Sequence, residues 1–119
     1  MISRMLRSIG FATKEAGNGR EALDVLARDG LVDVVLLDWN MPVMDGFEAL
    51  CAIRAEARYE GIRVVMVTTE TEMERVTRAL EAGANEYLMK PFTAQALTEK
   101  LELAGIAVRL SQAVAVGGE

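Results

Sequence analysis

Three polar side chains close three apolar runs in this 119-residue chain, and their types suit phosphoryl chemistry. Asp38 follows the run at 31–37, Thr68 the run at 62–67, and Lys90 the run at 87–89. A carboxylate can attack phosphorus as a nucleophile and form an aspartyl phosphate. A hydroxyl and an ammonium are the donors that transferred phosphoryl oxygens need. Asn40 lies two residues past the aspartate, where a backbone carbonyl can face a cation. Taken singly, each has an ordinary reading: a turn-forming Asp, a structural hydroxyl, a solvated Lys. Other chemistries drop out. The chain holds no histidine, which excludes Ser-His-Asp and Cys-His catalysis and restricts any bound metal to a hard, oxygen-held cation.

The elements that must position these groups follow a repeated grammar of amphipathic stretch, glycine and apolar run. Ile2, Met5, Leu6 and Ile9 share a helical face that Gly10 stops, and residues 11–16 read as a strand. Asn18 with Glu21 opens a helix with Leu23 and Leu26 inward, and Gly30 closes it before the run at 31–37. Phe47, Leu50 and Cys51 line a third helix, followed by the run at 62–67. Thr69 and Glu72 form a capping pair ahead of a helix with Met73, Val76 and Leu80 on one side. Residues 86–89 make a short strand, and Thr93 caps a last helix with Leu97, Leu101 and Ala104 inward. Runs apolar on both faces, alternating with helices, predict an α/β fold: a doubly wound, open parallel sheet. In such sheets ligands bind outside the carboxyl ends of the strands. Asp38, Thr68 and Lys90 are therefore expected to converge on one edge.

The wording of these segments resembles a known family. The stretch Val34-Val35-Leu36-Leu37-Asp38-Trp39-Asn40-Met41-Pro42-Val43-Met44-Asp45-Gly46 is similar to the phosphoacceptor segment of receiver domains of two-component response regulators. Val65-Met66-Val67-Thr68-Thr69 and Tyr87-Leu88-Met89-Lys90-Pro91-Phe92-Thr93 match two further receiver segments in the right order. The likeness covers nearly the whole chain and looks strongest to the single-domain chemotaxis regulators.

That resemblance implies a flavodoxin-like receiver fold and a phosphoacceptor switch, not an enzyme. Asp38 would take a phosphoryl group from a histidine kinase, and Thr68 and Lys90 would bind its oxygens. Mg²⁺ would be held by Asp38 and the Asn40 carbonyl. Thr68 and Tyr87 match the family's switch pair, and Asn40 and Glu70 are placed to tune hydrolysis. The Lys90-Pro91 bond would be cis. A protein target would bind the surface from Glu70 to Ala82, Tyr87, and Thr93 to Leu103. Gly46 is expected to supply a backbone angle that a side chain would forbid, and Trp39 to stand exposed beside the site.

One departure is large. The family begins with a strand ending in an acidic pair that supplies most of its Mg²⁺ binding, whereas Ile2 to Phe11 already match the later half of the first helix. The usual first strand is lacking, so Mg²⁺ binding is expected to be weak. Two readings of the C-terminus follow. In the preferred one the domain spans residues 1–110, the last helix runs on through Val108, and 111–119 is a fraying tail. In the other, 113–116 fills the vacant slot, in its own chain or as a strand-swapped dimer. A degenerate, non-phosphorylated interaction module or a truncated fragment is the alternative function. An aspartyl-phosphate phosphatase is disfavoured, because Asn40 stands where its second carboxylate belongs. The net charge of −5, with no basic cluster, argues against nucleic acid. Asp33 interrupts the longest apolar run, which argues against a membrane span, and the lone Cys51 suits a reducing cytoplasm.

Overall fold

Valine-rich runs leave little choice but a strand covered on both faces, and that is what the computed structural model contains; it describes residues 2–29, 32–69, 73–106 and 112–117. The elements are α1 (Ile2–Ile9), β1 (Ala12–Ala16), α2 (Gly19–Asp29), β2 (Val34–Asp38), α3 (Gly46–Ala55), β3 (Arg63–Thr68), α4 (Met73–Glu81), β4 (Glu86–Met89), α5 (Ala94–Leu103) and β5 (Gln112–Val116). The five strands form one sheet in the order β1-β5-β2-β3-β4, with every neighbouring pair parallel.

Side chains alternate across the sheet into two apolar layers. Val34, Leu36, Val65, Val67, Ala113 and Ala115 pack with α1 and α5 through Ile2, Leu6, Leu97 and Leu101. Val35, Leu37, Val64, Met66, Val114 and Val116 pack with α2, α3 and α4 through Leu26, Leu50, Ile53 and Ala79. Burial of the central valines and leucines is worth about 1.5–3 kcal/mol each. The edge strand β1 instead carries exposed Lys14 and Glu15, charges that discourage pairing with another sheet.

Local signals set the helix ends. Asn18 Oδ1 accepts from the Glu21 N–H at 3.0 Å, and the Glu21 carboxylate reaches back to the Gly17 N–H at 2.8 Å. Asp45 and Glu48 form a reciprocal capping box at α3 (2.8 and 3.0 Å), and Thr93 Oγ1 accepts from the Ala96 N–H at 3.0 Å. The proposed Thr69–Glu72 cap cannot be followed, because Glu72 lies outside the described residues. Two helical faces differ from expectation. Cys51 and Leu80 are exposed, whereas Leu50 and Val76 are buried as expected and are joined by Ala49, Ile53 and Ala79.

The C-terminus follows the less favoured of the two readings. Helix α5 stops at Leu103: Ala104 caps it, Gly105 turns left-handed at φ +87°, and the Ile106 N–H returns to the Leu101 carbonyl at 3.0 Å. The run-on helix and fraying tail are therefore overturned. Residues 112–116 form β5 within the same chain, between β1 and β2, so the boundary drawn at residue 110 cuts through the folded unit. Asp33 pins its entry: the carboxylate accepts from the Gln112 N–H at 2.7 Å, and the Asp33 N–H donates to the Gln112 carbonyl at 3.0 Å. The physical reason is the gap itself. Without β5, the inner edges of β1 and β2 would bury unpaired backbone, at about 1–3 kcal/mol per group.

Candidate functional site

At the carboxyl edge of the sheet β2 ends in Asp38, β3 in Thr68, and Lys90 follows β4 directly. Strand register fixes their neighbourhood: Asp38 pairs with Val67, Thr68 pairs with Met89, and the Lys90 N–H donates to the Thr68 carbonyl at 2.8 Å. The Asp38 side chain is only 9% exposed. Its Oδ2 accepts from Lys90 Nζ at 2.6 Å, and its Oδ1 from the Asn40 N–H at 3.2 Å. A buried carboxylate is tolerable only with such partners. Both oxygens are thus oriented, one by a charge and one by a backbone amide. Thr68 is buried beside them, Asn40 is exposed, and the Lys90-Pro91 bond is cis.

The segment after the acid is clamped. The Gly46 N–H donates to the Trp39 carbonyl at 2.9 Å, and a Cβ on Gly46 would strike the Asp38 carbonyl oxygen. Gly46 does not have a positive φ, so the need for glycine comes from close approach, not from a forbidden angle. Trp39 is also not exposed. It is 5% accessible, stacked on Phe47 (centroids 5.5 Å apart), with the Arg75 guanidinium 4.4 Å over its ring. Arg78 covers Phe47 in the same way at 4.5 Å. Sequence reading missed this double cation–π clasp between α4 and the α3 region; the pair of arginines three apart on α4 was the available signal. Tyr87 is half-buried, with Lys100 Nζ 4.3 Å from its ring centre and 3.1 Å from Glu86 Oε1. Glu70 lies outside the described residues.

Gly117 completes the edge. It follows β5 at φ +107°, and a Cβ there would stand 2.5 Å from Asp38 Cβ and 3.0 Å from Met41 Sδ. The resemblance puts the acidic pair of receiver domains at the end of the strand in this slot; here the position presents glycine backbone. Among the described residues no three acidic or other metal-ligating side chains gather anywhere. With one carboxylate, already engaged by Lys90 and the Asn40 amide, the described donor set does not fit Mg²⁺.

Comparison with known proteins gives the family and the fold. The family model described as "response regulator receiver domain" matches residues 1–102, so β5 lies beyond the matched segment. The chemotaxis protein CheY of Pseudomonas aeruginosa is 45% identical over 103 residues, covering 86% of this chain and 82% of that protein. A CheY homolog of Campylobacter jejuni is 50% identical over 88 residues, covering 74% and 68%. Among solved structures, CheY4 of Vibrio cholerae superposes with a TM-score of 0.79 at 37% identity, covering 86% of this chain and 84% of that one. The receiver domain of sensor histidine kinase PA1611 from P. aeruginosa, described with magnesium in its active-site cleft, gives 0.77 at 30% identity, covering 88% and 86%. Strand-end acid, hydroxyl and lysine, flavodoxin-like sheet and matched sequence all lead to one assignment: the chain belongs to the receiver domains of two-component response regulators, among relatives that include the chemotaxis regulators CheY.

Proposed function

We propose that Asp38 is the phosphoacceptor, taking its phosphoryl group from the phosphohistidine of a histidine kinase. The observation that carries this reading is the carboxylate itself, buried at a strand end with an ammonium 2.6 Å away. Among the described contacts Oδ2 is held by Lys90 at 2.6 Å and Oδ1 by the longer 3.2 Å amide contact, so Oδ1 is the more available nucleophile. An O–P bond forms as the N–P bond of the donor breaks, and the leaving imidazole nitrogen keeps the bonding pair. Lys90 then neutralises charge on the phosphoryl oxygens, and the Thr68 hydroxyl donates a second hydrogen bond to them. Asn40 and Glu70 tune attack of water on the product.

Signalling follows as a population shift, with Thr68 and Tyr87 moving between two arrangements that phosphorylation weights differently. The target-binding face comprises α4, Tyr87 and α5. Tyr87 and Lys100 already share a contact across β4 and α5, so a change at Tyr87 reaches that face directly. A second reading, a non-phosphorylated interaction module, is favoured by Gly117 standing where the acidic pair belongs.

Intact mass after incubation with acetyl phosphate, with and without Mg²⁺, separates the two. The expected result is a phosphoryl adduct on the wild type that Asp38→Asn lacks while keeping its cooperative melt. No adduct on folded wild type selects the interaction module. An adduct that survives in Asp38→Asn removes Asp38 from its role.

A further inference from the structure

The loop between β2 and α3 contains a residue that folding alone does not explain. Val43 has φ +69°, and the Met44 N–H donates to the Pro42 carbonyl at 2.7 Å. A bond between residues two apart, centred on a positive φ, is the strained kind of γ-turn. Glycine or asparagine enters that region at low cost, whereas a β-branched side chain there is an outlier. Nor does burial compensate, for Val43 is 82% exposed.

The turn is held from both sides. The Gly46 N–H bonds the Trp39 carbonyl at 2.9 Å, and the Gly19 N–H bonds the Met44 carbonyl at 3.2 Å. Exposed Pro42 extends the apolar tip. Loop atoms also touch the acceptor: the Asn40 amide bonds Asp38 Oδ1, and Met41 lies against Gly117 beside Asp38. Three large apolar side chains are exposed among the described residues. Leu80 and Leu103 sit at the C-terminal ends of α4 and α5, away from this edge of the sheet, which leaves Val43 at the acceptor rim.

We propose that Val43, with Pro42, is a specificity-determining contact for the protein that donates the phosphoryl group; this rests on the reading of Asp38 as acceptor. Asp38 is recessed, so a protein-borne phosphohistidine reaches bonding distance only if the donor's surface settles on the rim around it. The occupant is therefore a donor domain with an apolar patch beside its phosphohistidine. The turn serves the fold, but an exposed valine kept there, where asparagine or glycine would relax it, marks a position used for something else.

The test compares wild type with Val43→Asn, Val43→Gly and Val43→Met. Acetyl phosphate serves as a donor without a protein surface. The protein donors are the purified kinase cores of the histidine kinases of the same genome, each holding its phosphohistidine domain together with its ATP-binding domain and autophosphorylated with radiolabelled ATP. Val43→Asn is expected to melt a few degrees higher, because the turn relaxes. Its kcat/KM with the best protein donor falls about tenfold, the loss of one well-packed apolar contact. Its rate with acetyl phosphate stays at the wild-type value, and Val43→Met keeps transfer within about twofold. An unchanged rate with the protein donor overturns the proposal. So does an equal loss with both donors, which would make Val43 part of the acceptor site instead. A wild type that takes phosphoryl from no protein donor faster than from acetyl phosphate overturns it as well. Failure of acetyl phosphate to label wild type is the separate signature that the Asp38 reading itself is wrong.

Discussion

At the scale of single residues, the acceptor corner is defined by what glycine leaves out. Gly46 and Gly117 both approach Asp38 closely, one against its carbonyl and one against its Cβ. Gly46→Ala is expected to cost about 3 kcal/mol by chemical denaturation, since the obstruction is backbone that cannot swing away. The same variant should lose most of its labelling by acetyl phosphate, because the displaced atom belongs to Asp38 itself. A fall in stability with labelling intact would show that the loop yields without moving the acid. The polar trio was legible because each member ends an apolar run. The cover over Trp39 was not, since Arg75 comes from an element 36 positions away in the chain. Gly46 was correctly singled out for the wrong reason: sequence can show that a position wants glycine, but not whether an angle or a near neighbour demands it.

At the scale of elements, Arg54 ties α3 to the far edge of the sheet. Its guanidinium donates to the carbonyls of Gly83 (2.9 Å), Tyr59 (3.1 Å) and Ile62 (2.8 Å) and to Asn85 Oδ1 (2.9 Å). Burial, followed by the nearby charge of Arg63, pushes it below the ordinary arginine value. Arg54→Met keeps the stem but strands these acceptors, and is expected to cost about 2 kcal/mol, or about 8 °C in melting temperature. A change within about 1 °C would mean that solvent replaces the guanidinium at no cost. Helix starts were readable from Asn18 and Thr93, whose side chains cap their own helices. Helix faces were less so. Leu80 matched the apolar spacing yet lies outward, because Val76 and Ala79 set the phase against the sheet.

For the whole molecule, the decisive feature is β5, which gives the sheet its continuity. Deleting residues 107–119 removes four buried side chains, Ala113 to Val116, and both of the ladders β5 makes. The two valines alone are worth about 3–6 kcal/mol, against a typical margin of about 5–15 kcal/mol for a domain. The shortened chain is therefore expected to lose its cooperative thermal transition, measured by far-UV circular dichroism. Retention of a sharp melt would show that β1 and β2 can close on each other without it. Much of the architecture was legible, because alternation of runs and helices dictates a parallel doubly wound sheet. The fate of the C-terminus was not. A short run such as Ala113-Val114-Ala115-Val116 satisfies helix and strand periods alike, and only a distant vacancy in the sheet decides between them.

The position of β5 also orders events during synthesis. A chain emerging from the ribosome presents β1 first, then β2, β3 and β4, while the strand that joins β1 to the others comes after all of them. Until residues 112–116 have cleared the exit tunnel, the nascent chain holds an orphaned strand and a three-stranded sheet with one central edge bare. That interval is when the polypeptide is most open to aggregation through strand edges, and most dependent on a chaperone that covers them.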